Sequence, residues 1–235
     1  MKIGLFTDPH YSDKLEPSCD RYHSLSYDKI SAAMTHFKEK NVDLVVCLGD
    51  LTDDCYDIDD NSKALKKLTD MINSFGIKFY SLMGNHDYLS FTREEFDKLS
   101  NGAYPPFKIE NENSVLIFLD CNYEDNGDAY KVRDVDWTNT FLPNDQLENL
   151  KELLKIPKKK YIFLHQNLDK DVDKCHIVHN SEEIRNELEK ANDVKMVIQG
   201  HYHLGHDNLI NGIKYHTLAA MCTGNENNFE IIEVE

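Results

Sequence analysis

Apolar residues recur along this chain in short continuous runs separated by more polar stretches. The runs are rich in Val, Ile, Leu, Phe and Tyr, and most do not alternate with polar residues, which is typical of strands in a sheet covered on both faces. They lie at residues 2–7, 43–48, 77–83, 114–120, 160–165, 194–199, 213–219 and 229–234. The sequence predicts a β-strand at each of these runs.

Several of the intervening stretches carry apolar residues at helical spacing. Residues 62–75 place Leu65, Leu68 and Ile72 on one face and precede Gly76, a residue type that often follows a helix. The predicted helices cover residues 26–40, 62–75, 92–99, 144–155 and 181–191. Strands that alternate with helices predict an α/β fold with right-handed crossovers, and we expect the last two or three strands to form a meander.

Five of the first six predicted strands end in side chains that can bind a metal ion. These ends are Asp8-Pro9-His10, Gly49-Asp50, Gly84-Asn85-His86-Asp87, His165 and Gly200-His201-Tyr202-His203. Ligand sites of α/β folds lie at the carboxyl ends of strands, and Asp, Asn and His supply the oxygen and nitrogen donors of divalent metals. Each end alone is compatible with an ordinary turn or core residue, but the full set predicts a metal centre.

Such a donor set suits the hydrolysis of phosphoesters. Two cations about 3.5–4 Å apart can hold a phosphoryl oxygen and share a hydroxide that attacks phosphorus in line. The pair needs a bridging carboxylate and neutral imidazoles, and an amide such as that of Asn85 adds a ligand without adding charge.

The strand ends resemble the motifs of the calcineurin-like metallophosphoesterase superfamily. They match D-x-H at 8–10, G-D at 49–50, G-N-H-[DE] at 84–87, a histidine after a strand at 165 and G-H-x-H at 200–203. The resemblance implies a four-layer αββα sandwich, in which two mixed β-sheets are flanked by helices and the metal site lies at the C-terminal ends of strands. With no linker or repeat in the chain, we expect one domain over residues 1–235.

The resemblance also implies a role for each matching residue. It assigns one divalent ion to Asp8, His10, Asp50 and His203, and a second to Asp50, Asn85, His165 and His201. Asp50 would bridge the two ions, and a hydroxide bridging them would be the nucleophile. His86 would be the general acid that protonates the leaving group, with Asp87 holding its second ring nitrogen. The donors suit Mn, Fe, Zn, Ni or Co.

Two branches of the superfamily fit less well. Purple acid phosphatases carry a tyrosine three residues after the bridging aspartate, where this chain has Asp53. The chain also lacks the regulatory segments of protein-phosphatase catalytic subunits. It looks most similar to the smaller nucleotide and cyclic-nucleotide phosphodiesterases.

We expect the substrate contacts to come from the segments between the motifs, at 11–27, 122–140 and 166–180. The candidate substrate-binding residues are Arg21, Tyr22, His23 and Arg133. An arginine can bind a phosphate, and a loop Tyr or Trp can stack on a base. Loop aromatics more often pack on their own domain, so both interpretations stay open.

Charge and composition restrict the partners. The formal net charge of −16 disfavours nucleic-acid polymers and membrane surfaces, so we expect a small phosphorylated substrate such as a nucleotide. No apolar run approaches the roughly 20 residues of a membrane-spanning helix, and the six cysteines form no C-x-x-C pair. We therefore expect a cytoplasmic protein with reduced thiols.

Two alternatives to a phosphoester hydrolase remain. A scaffold that keeps the fold without catalysis would have lost metal ligands or His86, and the sequence retains them. A metal-dependent nuclease would need a basic groove, which the acidic composition disfavours.

Overall fold

The computed structural model describes residues 1–13, 16–18, 20–54 and 57–235. It contains two β-sheets packed face to face with helices on their outer sides. The helices are α1 (Ser26–Glu39), α2 (Ile58–Asn73), α3 (Asn85–Ser90), α4 (Arg93–Leu99), α5 (Asn144–Leu154) and α6 (Ser181–Lys190). Single 3-10 turns lie at His23–Leu25 and Lys174–His176.

Both sheets are mixed. The first contains β1 (Lys2–Phe6), β2 (Leu44–Cys47), β3 (Lys78–Ser81) and β10 (Glu230–Glu233), in the order β10-β1-β2-β3. The second contains β4 (Lys108–Glu110), β5 (Ser114–Phe118), β6 (Lys159–Phe163), β7 (Val194–Gln199), β8 (His206–Ile210) and β9 (Ile213–Thr217), in the order β4-β5-β6-β7-β9-β8. Strands β10, β4 and β8 are antiparallel to their neighbours, and the others pair in parallel.

The continuous apolar character of the strands follows from their burial on both faces. Successive side chains of a strand point to opposite faces. Val45 accordingly belongs to the apolar cluster with α1 and α2, whereas its neighbour Val46 belongs to the cluster between the sheets that also contains Phe163. A third apolar cluster lies between the second sheet and helices α5 and α6. The predicted layers, helix, sheet, sheet and helix, are confirmed.

The structure differs from the predicted elements in three respects. Helix α2 begins at Ile58 rather than at 62, because Asp57 accepts a hydrogen bond from the Asp59 amide and caps the helix. Strands β4 and β8 and helix α3 had no prediction, since they are short and only partly apolar. The expected meander of the last two or three predicted strands is wrong, because β7 and β9 pair in parallel and β10 pairs with β1 in the other sheet.

The structure also bears on the cysteines and on the length of the helices. Cys47, Cys121, Cys175 and Cys222 are free thiols, whereas Cys19 and Cys55 lie outside the described residues. Within the described ranges, no helix has both the length and the apolar character needed to span a bilayer.

Candidate metal centre

The five predicted strand ends converge on one cavity. Strands β1, β2 and β3 of the first sheet and β6 and β7 of the second deliver them at their carboxyl ends. Six of the seven metal-ligand candidates are buried, and the side chain of the seventh, His203, is 20% exposed; the six are Asp8, His10, Asp50, Asn85, His165 and His201. The centre therefore takes side chains from both sheets.

Four of these residues have left-handed backbone conformations. The φ angles are 48° at Asp8, 44° at His10, 50° at Asp50 and 65° at His201. A non-glycine residue in this region costs about 1 kcal/mol or more, and such strain concentrates at functional sites. The chain therefore turns sharply after β1, β2 and β7, where these four side chains enter the site.

Glycines allow the loops to approach closely. A β-carbon on Gly84 would collide with the carboxylate of Asp50, and one on Gly200 would collide with Thr7 and crowd Asp8. Both positions therefore need a residue without a side chain.

The first group of donors is made by Asp8, His10, His203 and Asp50. The Nε2 atoms of His10 and His203 are 3.2 Å apart. Asp8 Oδ1 lies 3.8 Å from the first of them and 3.7 Å from the second, and Asp50 Oδ2 lies 3.5 Å from His10 Nε2. Four donor atoms thus face a common space.

The second group shares Asp50 with the first. His165 Nε2 lies 3.4 Å from Asp50 Oδ2 and 3.3 Å from Asn85 Oδ1. The ring of His201 is 4.9 Å from that of His165, and ligand atoms of Asp50, His165 and His201 lie within 4.8 Å of one another. One oxygen of Asp50 therefore faces both groups.

Hydrogen bonds occupy the outer oxygen of each carboxylate and leave the inner one toward the donors. Asp8 Oδ2 accepts from Thr7 Oγ1 and the His201 amide, while Asp50 Oδ1 accepts from the His86 amide. Asp8 Oδ1 and His201 Nε2 are buried without a hydrogen-bond partner. Buried polar atoms normally have partners. The orphaned atoms and the mixed oxygen and nitrogen donors fit divalent cations.

Partners outside the donor groups orient two of the imidazoles. His165 Nδ1 is 3.1 Å from the Leu48 carbonyl, which fixes that nitrogen as the donor and leaves Nε2 for a metal. His203 Nδ1 is 3.1 Å from Asp20 Oδ2 in the same way.

The electrostatic environment favours neutral imidazoles at two positions. Burial lowers the pKa of His10, and burial together with the charge of His165 lowers the pKa of His201 strongly. His165 differs: burial lowers its pKa, but the carboxylate of Asp50 outweighs this and raises the pKa to about 9. A metal must therefore displace a proton from His165 at neutral pH.

His86 contacts Asp53, which corrects the prediction for Asp87. His86 Nδ1 lies 2.9 Å from Asp53 Oδ1 and 3.3 Å from Asp54 Oδ1. Burial lowers the pKa of His86, but Asp50 and the hydrogen bonds to Asp53 and Asp54 raise it well above its usual value. The ring is held in a form that can donate a proton.

Asp87 is instead a buried acceptor between two loops. Its carboxylate accepts hydrogen bonds from the backbone amides of Gly84, Leu51 and Thr52 and from the Thr52 hydroxyl. Burial and the charge of Asp50 raise the pKa of Asp87 to about 7. These bonds join the Asp50 loop to the start of α3, and the ring of His86 is bonded to Asp53 instead.

The cavity over the donors has a volume of about 620 Å³. Of the predicted substrate contacts, only Arg21 lines it; its Nη1 lies 3.3 Å from His86 Nε2 and 3.0 Å from Asp53 Oδ2. His23 is 1% exposed and lies against Asp53 below the cavity. Tyr22 and Arg133 are exposed but are not among the residues that line the cavity.

Three residues near the centre were not predicted to act there. Asp53 contacts His10, His23, His86 and Arg21, and its position three residues after Asp50 was the available signal. Asp20, the partner of His203, lies in a loop with no distinguishing pattern. The sulfur of Cys222 lies within 4.8 Å of the ligand nitrogens of His10 and His203, although its sequence context is that of a core residue.

Comparisons with known proteins agree with this geometry. The family model for calcineurin-like phosphoesterases matches residues 1–205. A protein of Fibrobacter succinogenes described as a probable cyclic nucleotide phosphodiesterase is 26% identical over 213 residues, which cover 86% of this chain and 73% of that protein.

Solved structures share the fold. A dimetal phosphatase from Danio rerio superposes with a TM-score of 0.82 at 18% identity, covering 98% of this chain and 91% of its own. A purple acid phosphatase from yellow lupin seeds gives a TM-score of 0.59 at 12% identity, covering 100% and 46%. The family match covers most of the sequence, so the chain belongs to the calcineurin-like phosphoesterases and is a hydrolase that acts on phosphoester bonds.

Proposed function

We propose that this protein hydrolyses a phosphoester of a small phosphorylated molecule at a centre that binds two divalent metal ions. The observation that carries the proposal is the position of one atom, Asp50 Oδ2, which lies 3.5 Å from His10 Nε2 and 3.4 Å from His165 Nε2. A carboxylate oxygen between two sets of donors is what a bridging ligand requires.

The residues divide into two sets of metal ligands. Asp8, His10 and His203 complete the first set, and Asn85, His165 and His201 complete the second. Two ions held there would withdraw charge from the phosphoryl oxygens and supply an activated water at neutral pH. Mn, Fe, Zn, Ni and Co all suit these donors.

His86 is the proposed general acid. The residue lines the cavity, and its Nδ1 is held by Asp53 at 2.9 Å, which orients the ring and favours its protonated form. A proton on Nε2 can pass to the oxygen of the departing alcohol. Arg21 Nη1 lies 3.3 Å from His86 Nε2, so its positive charge is available to bind a phosphoryl oxygen of the substrate.

The charges of the cavity support a small substrate. Among the described residues that line it, Arg21 is the only Arg or Lys, whereas Asp20, Asp50 and Asp54 are acidic. A nucleic-acid polymer would need many more phosphate contacts, so this lining disfavours the nuclease alternative. The complete donor set disfavours a non-catalytic scaffold. Similarity to a probable cyclic nucleotide phosphodiesterase makes nucleotides the first substrates to test.

The test is hydrolysis of p-nitrophenyl phosphate and bis(p-nitrophenyl) phosphate by metal-free protein with added Mn²⁺. We expect hydrolysis of at least one ester, its loss in EDTA, and a fall of 100-fold or more in Asp50→Asn, because the shared ligand is removed; this scale is about that of other essential catalytic groups. Asp125→Asn is the matched control, since Asp125 is an exposed loop residue outside the cavity.

The proposal would fail if the wild-type protein, with its metal content verified, hydrolysed neither ester nor any of a panel of nucleotides. It would also fail if Asp50→Asn and Asp125→Asn were equally active.

A further inference from the structure

One wall of the cavity is aromatic and apolar, and nothing in the metal chemistry requires it. Trp137, His176, Tyr202 and Leu204 form this wall. Trp137 is the only tryptophan of the chain, and 39% of its surface is exposed. Leu204 is 77% exposed. Exposed large apolar groups at the mouth of a cavity point to a ligand that covers them.

The position of Trp137 sets it apart from the other aromatic residues of its loop. Tyr130 is 5% exposed and belongs to the core, and the hydroxyl of Tyr123 accepts a hydrogen bond from Arg93. Packing against the domain therefore accounts for both tyrosines. It does not account for Trp137, which borders the cavity beside the metal-ligand candidate His201.

The neighbours of Trp137 hold its ring without covering it. Its centroid is 5.5 Å from that of His176 and 5.7 Å from that of His201, with interplanar angles of 52° and 71°. His176 is itself held against His201 and Tyr202, at 4.9 Å and 5.3 Å. Neither neighbour stacks parallel on the indole, and with 39% of its surface exposed Trp137 is accessible to a ligand in the cavity.

The size of the cavity points to a substrate larger than a phosphoryl group. About 620 Å³ lies within the range of roughly 300–1,000 Å³ found for sites that take drug-sized ligands. Arg21 and His86 lie on one side of the donors, and Trp137 lies against His201 on another. In a 5′-nucleotide one sugar separates the phosphoryl group from the base, so such a molecule can contact both the donors and the indole.

We propose that Trp137 is a binding platform for the planar heteroaromatic base of a nucleotide whose phosphoryl group lies at the metal centre. The inference rests on the proposed function for the placement of the phosphoryl group. Stacking of a base on an aromatic side chain typically strengthens binding roughly 5- to 150-fold. Trp137 thus determines specificity, favouring nucleotides over sugar phosphates of the same charge.

The single tryptophan allows binding to be followed without catalysis. In the wild-type protein, adenosine 5′-monophosphate should change the intrinsic fluorescence saturably, whereas ribose 5-phosphate and inorganic phosphate should leave it nearly unchanged. A response of equal size to all three would overturn the proposal, because the base would then contribute nothing at Trp137.

Competition measures the contribution of the ring. Adenosine 5′-monophosphate and ribose 5-phosphate are compared as inhibitors of the initial rate with the chromogenic ester. We expect the nucleotide to bind more tightly, and Trp137→Ala to weaken it roughly 5- to 150-fold while ribose 5-phosphate changes less than twofold. Trp137→Phe should retain most of the affinity for the nucleotide. Leu209→Ala is the control, because Leu209 is an exposed apolar residue on β8 that lies outside the cavity.

The two proposals fail in different ways. If no ester is hydrolysed, the proposed function fails, and the fluorescence titration still tests the platform. If hydrolysis is normal but Trp137→Ala weakens both inhibitors equally or neither, the platform is refuted and the hydrolase proposal stands.

Discussion

At the scale of single residues, chemistry depends on which atom of each side chain is left free. Backbone amides occupy Asp8 Oδ2 and Asp50 Oδ1, so only the opposite oxygens face the imidazoles. The Leu48 carbonyl similarly occupies Nδ1 of His165. These bonds come from the neighbouring loops, and they fix the donors before any ligand binds.

The role of His86 leads to a prediction about leaving groups. His86→Asn should reduce kcat by about 10²- to 10⁴-fold for an alkyl phosphate, whose alkoxide needs a proton. The loss should be much smaller for a p-nitrophenyl ester, because p-nitrophenolate leaves without protonation. The measurement is kcat for both esters at saturating Mn²⁺.

His179→Asn is the matched control, since His179 is exposed and lies outside the cavity. Equal losses of kcat for the two esters would contradict the general-acid role. Unchanged Mn²⁺ binding by His86→Asn would show that the effect lies in proton transfer rather than in assembly of the centre.

At the scale of elements, a histidine links the edges of the two sheets. His216 on β9 lies with Nδ1 2.6 Å from Asp207 of β8 and with Nε2 2.9 Å from Glu230 of β10. Burial lowers the pKa of His216, but the two carboxylates raise it above 6.5. Hydrogen bonding with His216 lowers the pKa of Glu230 and, against burial, that of Asp207.

This triad should make stability depend on pH with a defined sign. A raised histidine pKa contributes stability below the unfolded value of 6.5, and the contribution disappears as pH rises through the folded pKa. The lowered pKa values of Asp207 and Glu230 contribute stability only above about pH 4, where these carboxyl groups would be ionised in the unfolded chain as well. The triad should therefore stabilise most between about pH 4.5 and 6.5.

We expect His216→Gln to lower the free energy of unfolding by about 1 kcal/mol at pH 5.5, a modest value because solvent screens the two half-exposed carboxylates. At pH 9 the difference should be smaller. Urea unfolding of metal-free protein at both pH values, with His179→Gln as control, measures it. A difference that stays constant or grows toward pH 9 would contradict the assignment.

The strands could be predicted from the sequence more completely than their pairing. A continuous apolar run indicates that both faces of a strand are buried, and each of the eight predicted runs contains a strand. The residues 229–234 by themselves do not indicate that β10 pairs with β1, which lies more than 200 residues away along the chain. Helix α3 has only six residues, too few for a periodic pattern.

For the candidate site too, some features could be predicted from the sequence and others could not. The strand ends predict Asp8, Asp50 and His201 as donors, because this prediction needs only the motif and its position after a strand, and the structure brings these side chains together. Contacts between loops, such as that of Asp53 with His86, depend on how β2 and β3 pair and on where the loop holding Arg21 lies. Asp87 was wrongly assigned for this reason: it is the neighbour of His86 in sequence but not its partner in space.

At the scale of the whole molecule, each of the two sheets contributes part of the candidate site, and the packing of the sheets brings the two parts together. The first sheet supplies Asp8, His10, Asp50 and Asn85, and the second supplies His165, His201 and His203. Each proposed set of ligands takes residues from both sheets, so the proposed centre would form only when the layers pack. Metal binding should therefore stabilise the packed form.

The most direct test of the two-metal centre is the anomalous difference density of crystals grown with Mn²⁺. We expect two peaks about 3.5–4 Å apart, each within ligand distance of Asp50 Oδ2. One peak should lie among Asp8, His10 and His203, and the other among Asn85, His165 and His201. A single peak at full occupancy under saturating Mn²⁺, or two peaks that do not share Asp50, would contradict the two-metal centre.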